Sequence, residues 1–274
     1  MQFTVIPTPE ILKNDVECIR ITRHNGEGRL AINVCLNGLP GISFQHHDGH
    51  SPIENITTRF GSAACTPTLF VYGQMTEPGV MHYKPQPLTT TQIILKPHAL
   101  QTLLGLNASV LTNSLVELSE FSAGSLNRQL IEAHDDQQRL ELLITFLVTK
   151  LQQASRRDCL VEESLHVIHK NSTSVTVKHL LEHLSLSERQ FEKRFVQTVG
   201  VAPQFYIRVK RFNAAIRLMK AGHFQKLTDV AHTLNYYDQS HFIRDIKAFS
   251  GITPKNLVQK VEDPQFDQRV YAYF

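Results

Sequence analysis

Two short polar runs carry the side chains best suited to recognition chemistry. In "SERQFEKRFVQ", Ser187 stands where a helix N-cap would, with Gln190 three residues on, the spacing of a capping box. Phe191 and Phe195 lie four apart and share one helix face, which turns Arg189, Glu192, Lys193 and Gln197 outward, with Gln190 beside them. In "YYDQSHFIRDIKAFSGITP", Phe242, Ile246 and Phe249 form the apolar face and leave Gln239, Ser240, His241, Arg244 and Lys247 on the other. Arg and Lys suit guanine edges and phosphates, so a helix that presents them near its N-terminus can read a major groove. Taken singly, either face is more economically read as solvated surface. The recurrence of one plan is what favours a reading surface.

That plan extends to the elements that must position these residues. "VKHLLEHLSLSERQFEKRF" and "LTDVAHTLNYYDQSHFIRDI" each read as an apolar helix, a short turn and a second helix opening with polar residues. Two tandem helix-turn-helix units are expected from this echo. Between them, "PQFYIRVKRFNAAIRLMKAG" begins with Pro203 and ends at Gly222, favourable start and stop signals. Its roughly 19 residues would span about 28 Å, against about 34 Å between major-groove faces on one side of a duplex. A rigid helix of that length could hold two heads in adjacent grooves. From residue 158 onward the chain reads as helices near 159–169, 175–184, 187–198, 203–221, 226–234, 239–249 and 254–261, with "NSTS" (171–174) expected to cap the second.

The first ninety or so residues read as strands instead. "ECIRITRHNGEGRLAINVCLNG" alternates apolar and polar residues around "HNGEG", expected to close a hairpin. "ISFQ", "TLFVYGQM", "VMHYK" and "TTQIILK" are further short runs, and "HALQTLLG" predicts a short helix ending at Gly105. At 135–156 the period changes: Leu140, Leu143, Ile144, Leu147 and Leu151 fall at helical spacing, a stripe that could pack on the β part or form a homodimer contact. The run "FQHHDGHSPIE" places His46, His47, Asp48, His50 and Glu54 close together, residue types that suit iron, manganese or zinc. Gly49 and Pro52 mark it as a polar turn, and a surface loop is the preferred reading.

Composition sets the outer bounds. The chain has 274 residues, 42% hydrophobic and 19% charged, the balance of a globular protein with one or two domains. No apolar run is long enough to span a bilayer, and the N-terminus lacks a basic segment followed by an apolar one, so a cytoplasmic protein without membrane association is expected. Cys18, Cys35, Cys65 and Cys159 are scattered without a CxxC pair, which suggests reduced thiols. Residues 158–263 hold 15 Lys and Arg against 11 Asp and Glu, while the remainder is slightly acidic, so the C-terminal part is the one suited to a polyanion. No Ser-His-Asp order, glycine-rich phosphate loop or HExxH motif is present, and no enzyme, cofactor or metal is expected.

The segments "LSLSERQFEKRF", "VGVAPQFYIRVKRFNAA" and "LTDVAHTLNYYDQSHFIRDIKAFSGITPKNL" resemble the AraC/XylS family of bacterial transcription regulators over about a hundred residues. The resemblance implies sequence-specific binding of promoter or operator DNA by both units, with RNA polymerase as a candidate protein partner. It points to Arg189, Glu192 and Lys193 in the first unit, and to Gln239, Ser240, His241 and Arg244 in the second, as base-facing. Two positions depart from the family pattern. Asn235 stands where the turn of the second unit usually has Gly, and Leu181 where the first usually has a small Ala, so the first unit is expected to be slightly splayed. "FVYGQMTEP" and "LKPHALQTLLGLNASVLTNSLVEL" resemble, less specifically, the β-rich, cupin-like sensing domains that precede this module, implying a small-molecule effector or a partner subunit.

The expected architecture is α+β with two domains: a β-rich domain with helices at 1–157, an all-α module with two helix-turn-helix units at 158–263, and a tail at 264–274. The competing readings are a metal-dependent cupin-type enzyme with an appended DNA-binding tail, and a helical module that binds a protein.

Overall fold

The structure is a computed structural model that describes residues 2–59, 61–64, 66–121, 123–154, 157–222, 224–263, 266 and 272–273. Cys65 and most of the 264–274 tail lie outside the described residues. The N-terminal part runs β1 (Gln2–Ile6), β2 (Val16–His24), β3 (Leu30–Val34), β4 (Gly41–His46), β5 (Ile53–Thr58), β6 (Gly61–Ala64), β7 (Leu69–Tyr72), β8 (Gly79–Tyr83) and β9 (Leu88–Leu95). Helix α1 (Ala99–Leu104), β10 (Leu115–Glu117), α2 (Leu126–Glu132) and α3 (Asp136–Gln153) follow. The C-terminal part is α4 (Cys159–Lys170), α5 (Val177–Leu184), α6 (Glu188–Val199), α7 (Pro203–Ala221), α8 (Leu227–Thr233), α9 (Gln239–Ser250), α10 (Pro254–Glu262) and a last strand, β11 (Ala272–Tyr273). Among the described residues no helix is long and apolar enough to cross a membrane.

The strands form two antiparallel sheets, ordered β1-β2-β9-β4-β7-β10 and β11-β3-β8-β5-β6. Because side chains alternate across a strand, each cross-strand row of the first sheet belongs to one face. The row Ile19–Ile93–Ile42–Val71 is buried beneath helices, in a core shared with Leu100, Leu103, Leu140, Leu143 and Leu147. The next row, Arg20–Gln92–Ser43–Phe70, faces the second sheet. The stripe predicted on 135–156 is therefore engaged with its own domain: α3 packs on α1, α2 and β9 through Leu140, Leu143 and Leu147.

Two local expectations are corrected. "HNGEG" does not close a hairpin: β2 is flanked by β1 and β9, which occupy both its edges, so β3 pairs with β8 and β11 in the other sheet. The glycine-rich link instead carries the chain from one sheet to the other, with Gly26 and Gly28 both at positive φ. Likewise "NSTS" does not cap α5. An N-cap must be the residue immediately before the first helical one. That residue is Thr176, whose hydroxyl accepts the His179 amide at 3.3 Å.

The two halves share more surface than a tether would need. Arg157, where the β-rich part was expected to end, donates to Asp15 at 2.5 Å and to Glu162 at 3.1 Å. Burial works against ionisation of Asp15, but His98 and Arg157 overcome it and hold its carboxyl below the usual range. The β3–β4 connection, residues 35–40, enters the helical module: Cys35 and Leu36 are buried in a core with Phe212, Ile246 and Phe249. There the Leu36 amide donates to the Phe249 carbonyl at 3.0 Å, and Asn213 Nδ2 donates to the Asn37 carbonyl at 2.7 Å.

Candidate nucleic-acid interface

Helix α7 is the spine of the C-terminal module. Its 19 residues begin with Pro203 at the first helical position and end at Gly222 in the left-handed region, both as read from sequence. Its N-terminal part gives Tyr206 and Ile207 to a core with Leu180, Phe191, Phe195 and Val199. Its C-terminal part gives Val209, Phe212, Ile216 and Met219 to a core with Val230, Leu234, Phe242, Ile246 and Phe249. Edge-to-face ring pairs order both cores, Phe195–Tyr206 at 5.7 Å and Phe212–Phe249 at 5.6 Å between centroids. Each core anchors the inner face of one second helix, α6 or α9, and so determines which side chains of that helix face water.

In the first unit Ser187 caps α6, its side chain accepting the Gln190 amide. The Ser187 hydroxyl also donates to Gln190 Oε1 at 3.0 Å, which ties up the Gln190 side chain. Arg189, Glu192 and Lys193 are exposed and Gln197 is half-buried further along. On the opposite side Arg194 is held by Asp158 through bonds of 2.7 and 2.8 Å. The C-terminal end of α6 rests on the β-rich domain, where Thr112 donates to the Gly200 carbonyl at 2.6 Å and Thr198 to Gln101 at 2.8 Å.

In the second unit Asp238 caps α9 by accepting the His241 amide at 2.6 Å. Gln239, Ser240, Arg244 and Lys247 are exposed, while Phe242, Ile246 and Phe249 are buried, the division read from sequence. His241 is half-buried, its ring edge-on to Tyr236 at 5.3 Å and its Nε2 3.7 Å from Asp245. Asp245, 1% exposed, is paired with Arg208 of the spine at 2.6 Å, and Arg208 in turn lies over the Phe249 ring. Burying a carboxylate this deeply requires such a partner.

Three of these residues were not singled out from the sequence. Arg208 and Asp245 pair beside His241, and their pairing is invisible without the α7–α9 packing. Tyr237 is 93% exposed immediately before α9. With Arg208, Asp238, His241, Arg244 and Asp245 it lines a shallow groove at the N-terminal end of that helix. A large aromatic left in water beside cations is a signal the sequence held, masked by its buried neighbour Tyr236.

The two turns are alike. Ser185 and Asn235 both adopt left-handed backbone, at φ 53° and 54°. Asn235 takes the conformation expected of it as a replacement for Gly. The bond that closes the turn is 3.0 Å from Tyr236 N to the Ala231 carbonyl, and 3.4 Å from Leu186 N to the Leu181 carbonyl. The looser closure lies in the unit with the bulkier residue.

The histidine run is a tight turn: His47 and His50 bridge one another, Asp48 and Gly49 have positive φ, and His46 Nδ1 accepts the Gly49 amide at 3.4 Å. Among the described residues no three His, Cys, Asp or Glu side chains stand close enough to share a metal ion.

A family model described as a helix-turn-helix domain matches residues 180–260, which span both reading units. A second, described as a domain of unknown function (DUF6597), matches residues 4–117. No curated protein matches the chain. Among solved structures, ToxT from Vibrio cholerae is 14% identical, with 88% of this chain and 97% of that chain covered and a TM-score of 0.47. A ToxT structure with a bound unsaturated fatty acid, also 14% identical, covers 88% and 94% at a TM-score of 0.48. The AraC-like transcriptional activator CuxR is 16% identical, with 81% and 86% covered and a TM-score of 0.22. The assignment rests on the helix-turn-helix match and on the paired units themselves: the chain carries a double helix-turn-helix module with a β-rich domain ahead of it.

Proposed function

We propose that α6 and α9 are the two recognition helices and that they enter successive major grooves on one side of a promoter duplex. The observation that carries this reading is the matched pair: two helices with buried aromatic anchors and exposed polar N-terminal faces, joined by a rigid 19-residue spine. Arg189, Glu192 and Lys193 are the base-reading set of the first head, and Gln239, Ser240, His241 and Arg244 that of the second. Gln190, engaged with Ser187, acts through the cap, and Gln197 and Lys247, further along their helices, meet the backbone. Tyr237 joins the second head as an apolar contact to sugar or a thymine methyl. Lys and Arg contacts to phosphate supply much of the affinity, and with it a steep fall with salt. The β-rich domain is the sensing half, and a small molecule bound there controls the protein.

Selection of bound sequences from random DNA with the full chain tests the reading. The expected product is a site with two conserved patches about 10 base pairs apart. On that site Arg189→Ala and Arg244→Ala each weaken binding about 5- to 150-fold, as loss of a bidentate base contact worth about 1–3 kcal/mol would. Undiminished binding by the double variant Arg189→Glu/Arg244→Glu would sink the assignment of the heads.

A further inference from the structure

The β-rich domain carries a cavity of about 850 Å³ between its sheets, with Arg20, Gln45 and Tyr72 on one wall and Ile32, Val34, Ile56 and Met81 on the other. A second pocket, of about 560 Å³, opens at the end of the first sheet beneath the start of α3, and it too is within the size range of small-molecule sites. Its lining includes Arg23, His24, His46, His47 and Arg139 and, among the described residues, no Asp or Glu. Strand β4 runs from Gly41, next to the 35–40 connection, to His46 on this pocket. The pocket therefore lies at the end of the sheet away from the helical module.

Cross-strand register brings the basic groups together. Arg23, Thr89 and His46 form one row, its outer members about 10 Å apart across β9. The next row on the same face is Ile21–Thr91–Phe44. Arg139 approaches from α3 and pins the α2–α3 corner, donating to the Leu130 and Ala133 carbonyls at 3.1 and 2.9 Å and to Asp136 at 3.1 Å. Asp136 also takes Arg23. Among the described residues it is the one carboxylate paired with either guanidinium, so two cations share one anion and a positive charge is left over. Arg23, its side chain 48% exposed, meets Asp136 through one η-nitrogen, which leaves the remaining N–H groups of its fork for a ligand.

Two buried polar atoms on the lining lack a partner among the described residues: the hydroxyl of Thr91, 1% exposed, and His24 Nε2. Buried groups of this kind are normally completed by a partner, and here the open side is the pocket. His46 is set as a donor. Its Nδ1 accepts the Gly49 amide at 3.4 Å, so the proton of the neutral ring sits on Nε2. Burial, then the positive fields of Arg139 and His47, hold His46 below the usual imidazole range against the pull of Asp48. The same field favours a negative charge placed beside it.

We propose that this pocket binds a small organic oxyanion, its charged end at Arg23, His46 and the Thr91 hydroxyl and its body against Phe44 and Leu88. A cation would enter beside two guanidinium groups. A neutral molecule would cover the surplus charge without balancing it, a cost that an anion avoids. The site is separate from the inter-sheet cavity and from both reading helices, and the proposal does not rest on the promoter reading.

The test is calorimetric titration of the full chain, without DNA, at neutral pH and constant ionic strength, with phenyl phosphate, phenylacetate and benzyl alcohol. Both oxyanions are expected to bind and the alcohol not; the tighter oxyanion shows whether a phosphate ester or a carboxylate fits better. Arg23→Gln and Thr91→Val should each weaken the oxyanions about tenfold or more, as loss of a hydrogen bond to a charged group does. Thr91→Val separates binding from structure, because removing an unsatisfied buried hydroxyl should leave the Tm of the free protein unchanged or higher. Gln45→Leu, in the inter-sheet cavity, should bind as the wild type does. No binding of either oxyanion, equal binding of the alcohol, or undiminished affinity in both pocket variants overturns the proposal. So does a loss in Gln45→Leu that Arg23→Gln does not share, which would place the ligand between the sheets. Should Arg23→Gln fail to fold, Thr91→Val and the wild-type series still decide.

Discussion

Lys210 shows how far a residue's behaviour departs from its type. It lies in the seam between the halves, its ammonium over the Tyr206 ring and 3.4 Å from the Asn37 carbonyl. Burial pushes it down to about 8, against the attraction of Glu17. An unfolded chain keeps that proton to about pH 10.4, so between pH 8 and 10 the unfolded state binds more protons and stability rises with pH. Comparison of wild type with Lys210→Met by thermal unfolding across that window should show a gain on the order of 2 kcal/mol in the wild type that the variant lacks. A flat difference would mean that the ammonium reaches water. The spacing of charges in the sequence could not reveal this, because Lys210 reads as one more outward cation until residues 35–40 cover it. The exposed sets on α6 and α9 were legible, since four-residue spacing of Phe and Ile assigns the buried face without further information.

At the scale of elements, the two helix-turn-helix units differ in their turns but solve one geometric problem. A residue in left-handed backbone must follow the first helix, and neither unit uses glycine there. Ser185 and Asn235 accept the strain instead, Asn235 with its side chain donating to the Thr173 carbonyl at 3.3 Å. Asn235→Gly should therefore leave the Tm nearly unchanged, whereas Asn235→Val should cost about 1–2 kcal/mol, because a β-branched residue is disfavoured at positive φ. Denaturation of the two variants side by side checks this, and equal stability would show that the turn relaxes to another conformation. The seven C-terminal helices were legible nearly to their ends because caps, Pro203 and the glycines that follow helices are local signals. The strand partners were not. The glycine-rich link after β2 reads as a hairpin, yet the preceding strand β1 and the sequence-distant β9 occupy both edges of β2.

For the whole molecule, the segment 35–40 is the principal joint. On one side Val34, Asn37 and Leu39 line the cavity; on the other Leu36 is buried among Phe249 and its neighbours. Gly38 allows the close approach: at φ 74°, a Cβ there would stand 3.0 Å from the Tyr206 ring. Whatever fills the cavity touches the same few residues that grip α7 and α9. Leu36→Ala should cost about 2–5 kcal/mol, the range for truncating a buried leucine, and speed hydrogen exchange at the Leu36 amide and along α9. Faster exchange confined to the β-rich sheets would show that the joint does not brace the second reading head.

The division between what was legible and what was not follows the range of the interactions involved. By itself the sequence determined the two-part organisation, the tandem units, the spine length and the outward faces of α6 and α9. All of these depend on periodicity and caps within about twenty residues. Only the tertiary structure decided which strands share a sheet, that Arg208 and Asp245 pair beside His241, that residues 35–40 enter the helical module, and that Arg20, Gln45 and Tyr72 lie on one cavity wall. Those contacts join residues 20 to 176 positions apart. They arise from the burial of whole faces against one another, and no local pattern in a single chain encodes which faces will meet.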